Sequence, residues 1–138
     1  MDILYTATAT STGNGRNGHV RSDDGVLDFE LRTPTAMGGA GEATNPEQLF
    51  AAGYSACFHS ALKGVAAREK LDATGSEVTA KVGLGKRDEG GYGLAVELGV
   101  HVPGVSRSAA EGLAAKAHEV CPYSNATRGN VEVTLVVL

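Results

Sequence analysis

Two cysteines, Cys57 and Cys121, are the residues of this chain with the widest chemical reach. Thiols serve as small buried hydrophobes, as metal ligands or as a redox pair. For metal, Cys57-x-His59 and His118-x-x-Cys121 supply four zinc-type donors. Residues two apart on a helix point roughly 200° apart. Cys57 and His59 therefore do not face one ion from an unbroken helix, whereas His118 and Cys121 share a face. For redox work a thiol must ionise near neutral pH, and free cysteine titrates near ~8.5, so a cation is needed beside it. Arg16, alone in a Gly/Asn loop, is the candidate cation, because a guanidinium stays charged and its planar fork holds anions. Glu47 is the candidate carboxylate to orient it. Both also have plainer roles, Arg16 as a solvated loop charge and Glu47 as a first-turn acid that suits the helix dipole. For Cys57 in an apolar helix, the filler role stays open beside the redox one.

The elements that must position these groups follow from pattern. Ile3 to Thr10 reads as a strand. Gly13-Asn14-Gly15-Arg16-Asn17-Gly18 carries two Asn-Gly turn signals, and His19 to Arg21 reads as the returning strand. Leu27, Phe29 and Leu31 alternate with acids, as a half-buried strand does. Pro34 to Thr44 is Gly-rich and reads as mobile. Asn45-Pro46-Glu47-Gln48 is a helix start with a capping box, and the helix should run to about Lys70. Its first part, Leu49 to Phe58, is apolar nearly all round, which predicts burial on most sides. Val78–Leu84 and Leu94–Val100 alternate about a turn at Glu89-Gly90-Gly91, as a hairpin. Ser108 to Glu111 reads as a second capping box. The helix it opens ends at Cys121-Pro122, since proline does not continue it. Asn125 to Asn130 reads as loop, and Val131 to Val137 as a last strand.

This order predicts an α+β fold with mostly antiparallel sheets and a long buried central helix. One small sheet does not cover a helix apolar on all faces, so an intertwined homodimer is expected. With 138 residues a single domain spanning 1–138 is expected. The formal net charge of −4 argues against nucleic acid and anionic membrane as partners. The N-terminus shows no signal peptide or membrane span, which points to the cytoplasm, where a standing structural disulfide is not expected.

Glu47 and Cys57 lie ten residues apart, about 15 Å along one helix. Either the helix breaks near Gly53, or Arg16 and Glu47 serve the Cys57 of a second chain, which is the reading preferred here.

At these residues the sequence resembles the organic hydroperoxide resistance (Ohr) proteins of the OsmC family. The resemblance spans the chain and is densest in Ala43 to Phe58 and in Val120 to Asn130, with Tyr5-Thr6-Ala7-Thr8-Ala9 and the Arg16 loop also fitting. Cys121-Pro122-Tyr123-Ser124 and the Arg16 loop favour the Ohr branch. The resemblance implies an OsmC-like fold, an intertwined homodimer with interfacial sites, and a thiol-dependent peroxidase of oxidative-stress defence. Its substrates would be organic hydroperoxides, those of fatty acids included. Cys57 would attack the peroxide and become a sulfenic acid, Cys121 would resolve it as a disulfide, and Arg16 with Glu47 would hold the thiolate and polarise the peroxide. The reductant would be a lipoyl dithiol on a lipoylated protein, with no bound cofactor and no metal. Leu49, Phe50, Tyr54, Phe58 and Met37 are candidate walls for an alkyl chain, though each also suits a plain core position. A sensor that passes thiol oxidation to a partner, and a structural dimer with inert cysteines, are the competing readings.

Overall fold

The computed structural model describes residues 1–138. The chain divides into two compact units, Met1–Leu49 and Phe50–Leu138.

In the first unit, β1 (Ala9–Asn14), β2 (Asn17–Ser22) and β3 (Asp28–Glu30) form an antiparallel sheet in that order. Asn14 pairs with Asn17, which leaves Gly15-Arg16 as a two-residue loop. Gly15 takes φ +59°, the Gly-first pattern of a tight hairpin. The expected strand at Ile3 to Thr10 is thus displaced: Met1 to Thr8 form no strand, and β1 runs into what read as loop. The hairpin loop fixes register, and it selects the first Asn-Gly step. The second lies inside β2, where Asn17 bonds Thr33 through both its amide atoms (Nδ2 to Oγ1 3.0 Å, backbone N–H of Thr33 to Oδ1 3.0 Å). The Gly-rich stretch after Pro34 contains a 3₁₀ turn, Thr35–Met37, and its backbone bonds itself: Met37 and Gly39 N–H to Pro34 O, and Gly41 N–H to Thr33 O. All six residues of β1 are exposed, as are Ile3, Leu4, Tyr5 and Val26.

α1 (Pro46–Arg68) starts as read, with Asn45 Oδ1 accepting the Gln48 N–H at 2.9 Å. The return half of the capping box is absent, because the Gln48 side chain accepts from Thr44 Oγ1 instead (2.9 Å). The helix does not break at Gly53.

In the second unit β4 (Glu77–Lys86) and β5 (Tyr92–His101) form the expected antiparallel hairpin. β6 (Glu132–Val137) pairs parallel to β5. A parallel return needs a crossover, here made by α2 (Arg107–Val120) and α3 (Pro122–Thr127). α2 is capped by Ser106, whose hydroxyl accepts from Ala109 N–H, so the start lies before the expected Ser108 box. α3 occupies much of the expected loop: Pro122 ends one helix and serves as first residue of the next, where its missing N–H costs nothing. Tyr54, Phe58, Leu62, Val65 and Ala66 form one stripe of α1 and pack with Val96, Leu98 and Val100 of β5 and with Ala110, Leu113, Ala114 and Ala117 of α2. α1 therefore buries one stripe within the chain, while Ala52, Ala56 and Ser60 are exposed. No helix is long and apolar enough to cross a membrane.

Candidate functional site

The thiols belong to the second unit. Cys57 lies in the middle of α1, and Cys121 is the single extended residue (φ −65°, ψ 127°) between α2 and α3. That residue is anchored on both sides: its N–H donates to Ala117 O and its carbonyl accepts from Asn125 N–H. The corner brings the Cys121 Sγ to 3.7 Å from the Cys57 Sγ. Both are free thiols. Cys121 is fully buried and Cys57 only partly so. Burial pushes the Cys57 thiol up from its ordinary range, and the Tyr123 backbone N–H opposes that shift. The Cys121 sulfur adds to the upward push, since two thiolates this close repel. Within its own unit Cys57 therefore has no cation to ionise it.

The two histidines weighed as zinc donors are engaged in hydrogen bonds to serines. His59 Nε2 bonds Ser76 Oγ at 2.9 Å, and His118 Nδ1 bonds Ser124 Oγ at 2.8 Å. No three His, Cys, Asp or Glu side chains converge as a metal-binding set.

The cation sits in the first unit. Arg16 Nη1 donates to Glu47 Oε2 at 2.8 Å and Nη2 to Oε1 at 2.7 Å. This is the two-pronged geometry that gives guanidinium–carboxylate pairs both strength and direction. Glu47 is in the first turn of α1, and its side chain is 15% exposed against 39% for Arg16. The hydrogen bonds from Arg16 hold the Glu47 carboxyl below its usual range despite partial burial, and the same bonds raise Arg16 above its own. Arg16 is thus a positive charge held by Glu47 from a tight loop.

Of the candidate alkyl-chain walls, Tyr54 and Phe58 are fully buried core, Leu49 and Phe50 are half-buried and Met37 is 46% exposed. Reading the sequence alone missed two features. One is a buried hydroxyl cluster: Tyr54 Oη lies 3.0 Å from both Ser124 Oγ and Thr127 Oγ1, with His118 behind Ser124. These bonds tie α1 to α3 across some 70 residues of sequence. The other is the aromatic group Phe50–Tyr54–Tyr123, with ring centroids 5.8 to 6.4 Å apart. The run Cys121-Pro122-Tyr123-Ser124 held the only signal for either.

The profile of the OsmC-like protein family matches residues 39–136. An organic hydroperoxide resistance protein of Xanthomonas axonopodis pv. citri (strain 306) is 54% identical over 137 residues, 98% of this chain and 95% of that one. Among solved structures, an organic hydroperoxide resistance protein from Elizabethkingia anophelis superposes with a TM-score of 0.93 at 59% identity, covering 99% of this chain and 98% of that one. One from Legionella pneumophila, described as a predicted redox protein, does so with the same score at 52% identity over the same shares. A family profile that covers most of the sequence, and relatives more than half identical along nearly all of it, place this chain in the OsmC-like family, within its organic hydroperoxide resistance group.

Proposed function

We propose that the chain is a thiol-dependent peroxidase that reduces organic hydroperoxides, fatty-acid hydroperoxides included, to alcohols in defence against oxidative stress. The observation that carries this is the thiol pair: one partly accessible sulfur, one fully buried sulfur, 3.7 Å apart. The names of the relatives supply the substrate class.

The Cys57 thiolate attacks the terminal oxygen of ROOH. The O–O bond breaks, RO⁻ leaves and takes a proton to become ROH, and Cys57 holds the oxygen as a sulfenic acid. The Cys121 thiol attacks that sulfur, an S–S bond forms and water leaves. A disulfide needs a sulfur separation near 2.05 Å, so closure moves the sulfurs together by less than 2 Å. A lipoyl dithiol then reduces the pair by exchange and becomes a cyclic disulfide. Arg16, oriented by Glu47, stabilises the thiolate and the charge that develops on the peroxide oxygens, the kind of preorganised term that dominates in dry sites. The Gly/Asn setting of its loop lets Arg16 swing away once the disulfide has formed.

The unbroken α1 keeps Glu47 and Cys57 about 15 Å apart along its axis. A site that unites them takes Arg16 and Glu47 from one protomer and the thiols from its partner. The exposed faces of β1 and of α1, with exposed Leu4 and Tyr5, support an intertwined homodimer in which both units act as one domain. The cytoplasm, where lipoylated proteins and reducing conditions coexist, is the proposed location.

A steady-state assay with cumene hydroperoxide and dihydrolipoamide tests the reading. Continuous consumption is expected. A single stoichiometric oxidation, or activity that survives Cys57→Ser, overturns it.

A further inference from the structure

Three glycines lie inside α1 and α2, the helix that carries Cys57 and the one that ends at Cys121, and glycine is a poor helix former. Two are open. A Cβ at Gly112 of α2 meets nothing within 4 Å, and one at Gly64 of α1 meets only the Arg68 Nη1 at 3.7 Å. The third is different. A Cβ at Gly53 would come within 3.2 Å of both the Cε2 and the Oη of Tyr123, closer than ordinary van der Waals contact. Helical φ and ψ do not demand a glycine there. The Tyr123 ring, lying on the bare helix surface, is what an added methyl would crowd.

That ring is joined to the chemistry at both ends. Gly53 is one turn before Cys57 on the same face of α1. Tyr123 is two residues after Cys121, in the first turn of α3. Phe50 and Tyr54 flank the ring, with centroids 6.4 and 5.8 Å away. The bare surface at Gly53 is therefore where the Cys121 corner rests on the Cys57 helix.

We propose that Gly53 is a positioning residue for the thiol pair: its missing side chain makes the seat for Tyr123, and that seating holds Cys121 within reach of Cys57. The inference rests on the redox reading of the two thiols and names what sets their separation. The step it governs is the second one, in which the Cys121 thiol attacks the Cys57 sulfenic acid and releases water.

Gly53→Ala tests it. The added methyl shifts the ring by a few tenths of an ångström and carries the corner with it. Closure is expected to slow about ten-fold, in line with the cost of small misplacements in intramolecular reactions. Hydroperoxide then finds the lingering sulfenic acid, and overoxidation to the sulfinic acid rises, read by mass spectrometry. Gly64→Ala, on the same helix with room for its methyl, should close at the wild-type rate. In a Tyr123→Ala background the ring is gone, so adding Gly53→Ala should slow closure no further.

Closure is followed with two oxidants, cumene hydroperoxide and diamide. Diamide takes two electrons and two protons from the thiol pair and becomes a hydrazine. If wild-type protein closes with diamide but not with hydroperoxide, the peroxidase reading fails while the seat remains testable by diamide alone. The seat itself is overturned if Gly53→Ala closes as fast as wild type, or slows by the same factor with and without the Tyr123 ring.

Discussion

The two halves of the candidate site are built in opposite ways. The Arg16–Glu47 pair belongs to the Met1–Leu49 unit and rests on a two-residue loop and the first turn of a helix. It is charged, doubly hydrogen-bonded and partly open to solvent. The thiol pair belongs to the Phe50–Leu138 unit and rests on a helix middle and a helix–helix corner. One sulfur is fully buried and the other partly so, and burial raises the pKa of the more accessible one. Each half lacks what the other has. A thiol without a cation stays protonated at neutral pH, and a fixed cation without a nucleophile does no redox chemistry. The proposed reaction needs both halves, the thiol pair for its nucleophile and the Arg16–Glu47 pair for the charge that ionises it.

The largest effect should come from removing the nucleophile. Cys57→Ser is expected to drop peroxide consumption to background, because a serine hydroxyl does not ionise in a site that already resists a thiolate. Cys121→Ser sharpens the asymmetry within the same half. It should permit one turnover with a normal first step, followed by overoxidation of Cys57, visible as a mass gain of two oxygens and loss of the burst on a second addition.

The next effect breaks the comparison from the charged side. Arg16→Met leaves both thiols untouched yet is expected to cut the rate of the first step by about 10²- to 10³-fold, the usual cost of deleting one preorganised charge or donor. It should also move the apparent pKa of Cys57 upward, read from the pH dependence of iodoacetamide alkylation. An unchanged alkylation profile would mean that the two halves never meet. Mixing Arg16→Met with Cys57→Ser protein and allowing exchange should restore one working site per mixed dimer, which a site built within one chain would not do.

How much of this was legible in the sequence depends on the range of the interaction. The start of α1 was, because Asn45, Pro46 and Glu47 carry local capping chemistry. The β4–β5 hairpin was, because strict alternation specifies one buried face. β1 was misplaced, since Tyr, Thr and Leu in Ile3 to Thr10 have strand propensity but no partner; the Gly15-Arg16 loop decides which residues pair. α3 was read as loop because Ser124, Asn125 and Thr127 are polar, yet Ser124 and Thr127 are buried, and their hydroxyls meet Tyr54. Arg16 and Glu47 were named from the sequence, but their two-pronged contact spans 31 residues. Neither that contact nor the seat of Tyr123 on Gly53 leaves a local trace.

A smaller effect tests the orientation of the cation. Glu47→Gln keeps Arg16 charged but removes its fixed anionic partner, so a loss of about ten-fold in the first step is expected, with the thiol pair unaltered. The pH dependence carries the sign. The Glu47 carboxyl is held below its usual range by Arg16. A group with a depressed folded value contributes fully above its unfolded value, near ~4.3 for glutamate, and loses its contribution as pH falls through the folded one. The wild-type protein should therefore keep its Arg16 orientation down to mildly acidic pH and lose it only below that window. Glu47→Gln should lack this acidic limb.

The smallest expected effect on catalysis, and the one that separates support from chemistry, is Tyr54→Phe. The Tyr54 hydroxyl is fully buried and shared between Ser124 and Thr127. Both of these are buried as well, and Ser124 also meets His118. Deleting the hydroxyl leaves Thr127 with its own bond to the Ser124 carbonyl and Ser124 with His118, so neither is orphaned. The loss should then sit near the ordinary net value of a hydrogen bond, about 0.5 to 1.5 kcal/mol, measured by urea unfolding under reducing conditions. The ring stays, so the aromatic packing with Phe50 and Tyr123 stays, and peroxide turnover should change less than about three-fold, within the 1.36 kcal/mol that a ten-fold rate change requires. If Tyr54→Phe instead slows disulfide closure as strongly as Gly53→Ala, the Cys121 corner is held by the hydroxyl cluster beneath it rather than by the ring above Gly53, and the two supports exchange roles.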